Sequence, residues 1–262
     1  MAGEHAAATR GPGRSVGTMI YAFVPGDVEP TDEAHGVGDP PGPVAVVDAG
    51  DVAALVSEVP LDRPLGRPSD LTAYQSLVDG TAAVAPVVPV RFGTVLTDPD
   101  AVRELLANQH DNLVALLDAL EDRVEFVLHG RYRESVVLTE ILDENAEARS
   151  LRDQIQGQPD EVTINVRMRL GEIINQTVEA KRAADGRYAM EVLAPVGVRL
   201  IAREPTHELD AVNLAVLVDR RRQDEFDSAA EALAGTWEGR VTLRRLGPLA
   251  AYDFVPPLQA GA

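Results

Sequence analysis

The stretch VVPVRFGTVL at residues 87–96 places a single charged side chain inside an apolar run. Pro89 fixes an extended backbone before Arg91, and Gly93 allows a turn that a bulkier residue would resist. An arginine in this setting either binds an anion at a catalytic centre or satisfies buried carbonyls and acids with its five donors. Because no nucleophile, general base or phosphate-binding loop accompanies Arg91, we predict a structural role for it, with partner contact as the second interpretation. Phe92, the next residue, is likewise a candidate for a structural role or for contact with a partner.

The clearest predicted element follows this stretch directly. In TDPDAVRELLANQHDNLVALLDAL, Thr97 or Asp98 can cap a helix, Pro99 suits its first position, and an acidic residue in the first turn complements the helix dipole. The apolar residues then keep to one helical face. Residues 87–96 therefore predict a bend that leads into a helix over 98–120.

Before the bend, the pattern predicts strands separated by loops. The strand at 15–25 ends at a proline, and residues 25–43, rich in proline, glycine and acid, predict a long loop. Residues 44–50 predict a second strand, whereas DVAALVSEVP at 51–60 is compatible with a short helix or a further strand. Residues 71–90 have helical character that ends at prolines.

After the bend, the predicted elements run in the order strand, helices, two strands, helix and strand. They fall at 124–134, 144–157, 171–196, 198–205, 211–220, 224–237 and 240–255. This order is that of a split βαβ, or ferredoxin-like, domain, and segregated helices and strands indicate the α+β class.

A chain of 262 residues has room for two domains. We predict a disordered lead-in at 1–14, a smaller or modified N-terminal α+β domain at 15–122, a C-terminal ferredoxin-like domain at 123–256 and a tail at 257–262.

Composition narrows the function classes. A net charge of −18 argues against binding to nucleic acid or to anionic membranes. The absence of cysteine excludes disulfides and thiolate sites. The start lacks the apolar core of a secretory signal, and the longest apolar run, at 82–90, is too short to cross a bilayer. We therefore expect a soluble, cytoplasmic protein.

Motifs for catalysis are missing from the sequence. No GxSxG, HExxH or Walker pattern occurs, and the GVG at 36–38 lacks the context of a phosphate-binding loop. The basic cluster at 219–225 is flanked by acids, which predicts a self-neutralised surface. No pair of histidines has metal-ligand spacing; they are His5, His35, His110, His129 and His207. We predict no enzymatic activity, no cofactor, no metal and no small-molecule substrate.

Two stretches together resemble the gas vesicle proteins of the GvpL/GvpF family. VVPVRFGTVL is similar to that family's Leu/Val-Pro-x-Arg-Phe-Gly-Thr segment, which a capped helix follows. GPLAAYDFV at 247–255 is similar to its closing Gly-Pro-Trp-Pro-Pro-Tyr-x-Phe-Val, although Leu249, Ala250 and Ala251 replace Trp-Pro-Pro. The structural or partner-contact candidates in the two stretches are Pro89, Arg91, Phe92, Gly93, Gly247, Pro248, Tyr252 and Phe254.

The resemblance covers about residues 15–256 and implies a function. It implies a cytoplasmic accessory protein that is required to assemble gas vesicles, the hollow protein shells that give cells buoyancy. Such a protein binds the hydrophobic shell protein and other accessory proteins, and catalyses no reaction. The implied fold is two α+β domains, at least one of them ferredoxin-like. A minor structural component of the finished shell and a ferredoxin-like module that senses a small molecule are the alternatives, and the choice between F-type and L-type stays open.

Overall fold

Antiparallel sheets organise a mixed α/β chain that divides into two units. The computed structural model describes residues 16–31, 34–62 and 64–256. The first unit runs to Glu121 and also takes the C-terminal residues from Val255, and the second is Asp122–Phe254. The predicted lead-in at 1–14 and the tail at 257–262 lie outside the described residues.

The first unit contains seven strands and two helices among its described residues. In chain order they are β1 (Val16–Pro25), β2 (His35–Gly38), β3 (Pro41–Pro43), β4 (Ala45–Asp48), β5 (Val52–Pro60), α1 (Pro68–Ala82), β6 (Val88–Pro89), β7 (Val95–Leu96) and α2 (Pro99–Leu120). The main sheet has the order β4-β5-β1-β6, with β7 also paired to β1. Strand β1 lies at its centre, and its residues Met19 to Val24 are buried. This burial explains why β1 is apolar nearly throughout rather than alternating.

Most elements of this unit agree with the sequence prediction. The first strand is confirmed, and so is the helix after the bend, where the Asp98 carboxylate accepts the Ala101 amide at 2.9 Å. Residues 51–60, for which a short helix or a strand was possible, form a strand, because β5 pairs with β1 on one side and β4 on the other. The long loop predicted at 25–43 is partly wrong, since it contains the β2-β3 hairpin. The Tyr21 hydroxyl anchors that hairpin by accepting the Val37 amide at 2.7 Å, a tertiary contact that local sequence does not show.

The second unit is built on a four-stranded sheet. Its elements are β8 (Arg123–Tyr132), α3 (Glu134–Glu144), α4 (Ala146–Ile155), α5 (Asp160–Leu193), β9 (Arg199–Ala202), β10 (Asp210–Asp219), a 3-10 turn (Arg220–Arg222), α6 (Gln223–Thr236) and β11 (Val241–Leu249). The strands lie in the order β11-β8-β10-β9 and all pairs are antiparallel. One face of the sheet packs against the helices through a core that includes Phe126, Leu128, Ile141 and Phe226.

The predicted order of elements in this unit is confirmed, with two differences. Helix α3 was not predicted, because β-branched residues interrupt its short sequence ESVVLTEILDE. Helix α5 begins at Asp160 rather than 171, so it is 34 residues long. Asp160 and Glu161 in the first turn stabilise the positive end of the helix dipole. The first turns were missed because their sequence is mostly polar and shows no helical period of apolar residues.

Candidate functional site

Residues 87–96 form an interrupted edge strand. Val88 and Pro89 pair with Phe23 and Ala22, and β7 then resumes the pairing further along β1. Between β6 and β7 the chain leaves the sheet in a turn closed by Thr94, whose amide and hydroxyl donate to the Arg91 carbonyl at 3.1 and 2.7 Å. The predicted turn at Gly93 and the start of the helix at Pro99 are confirmed, but the short strand β7 lies between them, so the stretch interrupts a strand before it reaches α2.

The turn between β6 and β7 needs a residue with left-handed backbone geometry. Gly93 provides it, with φ of +82°. The Ile20 amide donates to the Thr94 carbonyl at 3.0 Å, which returns the chain to the edge of β1. The glycine of this segment therefore has a structural function.

A tyrosine from α1 holds the interrupted segment in place. The Tyr74 hydroxyl donates to the Val90 carbonyl, and the Phe92 ring packs edge-on against the Tyr74 ring at a centroid distance of 5.4 Å. The Tyr74 ring also stacks at 6.0 Å on Tyr21, whose carbonyl accepts the Val90 amide. Tyr74 is 5% exposed, and burial raises the pKa of its phenol above the ordinary value, which keeps it protonated as a donor.

Arg91 has a different position from the one we expected. Its side chain is exposed, and it makes no hydrogen bond or ion pair with the residues that the structure describes. The expectation that the guanidinium satisfies buried carbonyls or an acid is therefore not met. Tyr74 performs that task instead for the Val90 carbonyl, and its only signal in the sequence is a tyrosine at helical spacing from Val78 and Ala82 on the buried face of α1.

The closing stretch begins with a bend at the end of β11. Gly247 has φ of +127°, and the peptide that joins it to Pro248 is cis. A Cβ at Gly247 would lie 2.7 Å from Cδ1 of Phe126 and 2.8 Å from the Glu125 carbonyl oxygen. The pairing of β11 with β8 shifts register at this point. Glycine is thus required here by both conformation and space.

The residues after β11 fold back onto the second unit. Phe254, Ala250 and Ala251 are buried, whereas Pro248 is exposed and Tyr252 is half-buried. The Arg199 guanidinium lies 5.8 Å from the centre of the Phe254 ring. The two alanines that depart from the family pattern are therefore enclosed by protein rather than displayed.

A buried carboxyl holds this segment. Glu125 on β8 is 1% exposed, and its Oε2 accepts the Asp253 amide at 2.9 Å. The Arg203 guanidinium lies 3.6 Å from the Asp253 carboxylate. Burial raises the pKa of Glu125 to about 8, and the neighbouring Asp253 carboxyl acts in the same direction. Sequence reasoning did not single out Glu125, because one glutamate in an alternating strand carries no distinctive signal.

A second buried acid organises the loop before β10. Asp210 is 1% exposed, and its carboxylate accepts the amides of Thr206 and His207 at 2.7 and 2.9 Å. His129 and Arg131 approach the other oxygen at 3.0 and 3.4 Å. Burial alone would raise the pKa of Asp210, but these hydrogen bonds outweigh it and lower the pKa to about 2. This arrangement stabilises a loop.

The remaining histidines and acids do not form a metal centre in the part of the chain that the structure describes. No group of three or more histidine, aspartate or glutamate side chains there could hold a metal ion. His5 lies outside the described residues. In the same described part, no helix is both long and apolar enough to cross a membrane.

Fold and site together define a class: a mixed α/β protein with antiparallel sheets whose two candidate stretches are held by structural contacts. The sequence model of the family described as "Gas vesicle synthesis protein GvpL/GvpF" matches residues 17–256. The chain belongs to this family, and the resemblance predicted from its two stretches is confirmed. Family membership supports a gas-vesicle-related accessory role.

Individual relatives agree with this assignment. The chain is 34% identical over 227 residues to gas vesicle protein F of Streptomyces sp. (strain CB03234), covering 86% of this chain and 92% of the relative. It is 27% identical to gas vesicle protein L of the same organism, covering 90% of this chain and 91% of the relative. The chain is thus similar to relatives of both the F type and the L type.

Solved structures show the same fold. The crystal structure of GvpF from Anabaena sp. PCC7120 matches with a TM-score of 0.75 and 20% identity, covering 92% of this chain and 99% of that one. GvpF from Microcystis aeruginosa matches with a TM-score of 0.72 and 18% identity, covering 91% and 98%.

Proposed function

We propose that this chain is a cytoplasmic gas vesicle accessory protein that binds the hydrophobic shell protein and other gas vesicle proteins during vesicle assembly, without catalysing a reaction. The observation that carries the proposal is the family match over residues 17–256. The contacts around Tyr74 and Glu125 are compatible with it, because both hold segments of the chain in place.

Charge supports the proposed role in keeping an apolar partner in solution. A shell subunit exposes apolar surface and strand edges before it assembles, and such edges drive aggregation. Residues 1–121 carry 18 acidic and six basic side chains, so the first unit supplies most of the net charge of −18. Complexes of this chain with the shell protein would carry the same negative charge and repel one another, which keeps them in solution.

The sheet of the second unit supports one way of holding an extended segment. The sheet is open, with β9 and β11 as its two edge strands. We assign this unit to the ferredoxin-like class, on the basis of the strand order β11-β8-β10-β9 with helices after β8 and β10. An open sheet of this class accepts a further strand at its edge.

Light scattering of the monomeric shell protein tests the proposal. We expect equimolar chain to suppress the rise in scattering that follows dilution of the shell protein from denaturant. An unrelated acidic protein of similar net charge is the control, and it should not suppress scattering. Equal scattering with and without the chain at stoichiometric ratios would refute the holding role.

A further inference from the structure

A groove between α4 and α5 has no role in the contacts described so far. Its volume is about 690 Å³. Helix α4 contributes Arg152 and Ile155, Gln156 follows it directly, and α5 contributes Arg167, Leu170, Gly171 and Ile174. Two packed helices that leave an apolar floor between them form the type of groove that receives a third helix.

Two exposed apolar side chains lie on α5 just before the residues that line the groove. Ile164 is 59% and Met168 63% exposed. They precede Gly171 by about two turns and one turn, so they lie on nearly the same face of the helix. Ile164 and Met168 are two of the ten large hydrophobic side chains that are exposed in the described chain, and they are four residues apart, so they are neighbours on one face of α5. Such clustering marks an interaction site, whereas single exposed apolar residues do not.

Gly171 leaves open space in the middle of the groove. Glycine destabilises a helix interior relative to alanine. A Cβ at this position would meet no described atom within 4 Å, so packing within the described chain does not require a glycine here. The missing side chain allows another backbone to approach α5 closely.

The walls of the groove have the opposite charge to the chain as a whole. The chain has 42 acidic and 24 basic side chains, yet the described lining contains two arginines and no carboxylate. Arg152 pairs with Asp153 at 2.7 Å and Arg167 with Asp160 at 2.6 Å, in both cases with an exposed acid. Exposed pairs of this kind contribute little to stability. A docked carboxylate can therefore replace them.

We infer that this groove binds an amphipathic helix of a partner protein, with an apolar stripe on Leu170, Gly171 and Ile174 and an acidic flank towards Arg152 and Arg167. The inference deepens the proposed function and rests on it for the identity of the partner as a gas vesicle protein. It names a surface in the second unit that is separate from the edge of β9.

Fluorescence anisotropy with two synthetic helical peptides and the full chain tests the chemistry of the groove. Both peptides carry the same leucine stripe over about 18 residues, roughly five helical turns, and differ in having glutamate or lysine flanks. We expect the glutamate peptide to bind about tenfold more tightly. The variant Gly171→Leu should weaken it by about tenfold, because leucine fills the groove. Gly235→Leu on α6, another helical glycine with open space around it, is the matched control and should leave binding unchanged.

Equal binding of the two peptides, or unchanged binding by Gly171→Leu, would overturn the inference. Circular dichroism of both variants checks that they fold. Self-association of the chain that Gly171→Leu abolishes would also overturn it, since the occupant would then be a second copy. The two experiments can fail separately: a lack of suppression in the shell-protein scattering assay refutes the proposed function, whereas the peptide measurements decide the groove.

Discussion

The buried carboxyl of Glu125 accepts the backbone amide of Asp253 at 2.9 Å, across 128 positions of the chain. This hydrogen bond connects the segment after β11 to the sheet of the second unit. Because burial raises the pKa of Glu125 to about 8 from an ordinary 4.5, the folded chain holds a proton there that the unfolded chain has lost at neutral pH.

We predict that Glu125 makes stability fall as pH rises. The contribution is fully present below the unfolded pKa of about 4.5, declines between the two pKa values, and is lost once pH has passed about 8. The decline is at most about 1.4 kcal/mol per pH unit. Urea unfolding at several pH values measures it, and Glu125→Gln should reduce the slope. Glu238→Gln, at an exposed position, is the control and should keep the wild-type slope of unfolding free energy against pH. If Glu125→Gln has the same slope as this control, the assignment to Glu125 is contradicted.

We predict that Tyr74→Phe is more destabilising than Arg91→Ala. The phenylalanine keeps the ring but leaves the Val90 carbonyl without its side-chain donor, which costs about 1–3 kcal/mol for a buried group. Arg91→Ala removes an exposed side chain and should change stability by about 0.5 kcal/mol or less. Chemical denaturation compares the two variants. A larger loss for Arg91→Ala would restore the structural role that the sequence predicts for this arginine.

We predict that Gly247→Ala destabilises the second unit by more than about 2 kcal/mol, because backbone strain and steric overlap add. The added Cβ would lie against Phe126 and the Glu125 carbonyl. Gly239→Ala is the matched control, since Gly239 also has positive φ, at +77°, but has open space around its Cβ position. We expect a clearly lower melting temperature for Gly247→Ala than for Gly239→Ala. Equal melting temperatures would contradict the prediction, since they would show that the steric overlap is relieved without loss of stability.

Local signals were enough to predict much of the fold. Helix α2 follows from its cap at Asp98 and its apolar period, and β1 from its run of apolar and β-branched residues. The β2-β3 hairpin could not be predicted, because the Tyr21 hydroxyl anchors it from another strand. The conformation of 51–60 likewise depended on pairing partners on both sides.

The candidate stretches were found from sequence, but not the contacts that explain them. The positive φ of Gly93 and Gly247 agrees with the turns that glycine permits. The exposure of Arg91 and the burial of Glu125 depend on which neighbours surround each side chain. The contacts that hold the two stretches join residues far apart in the chain: Tyr74 and Val90 are 16 positions apart, and Glu125 and Asp253 are 128. Spacing within a motif holds no information about such contacts.

Deletion of the gene that encodes this chain, followed by electron microscopy of the cells, tests the central claim most directly. The account predicts that gas vesicles are absent or malformed, and that supplying the intact chain restores them. Normal vesicles in normal number after deletion would contradict a required role in assembly.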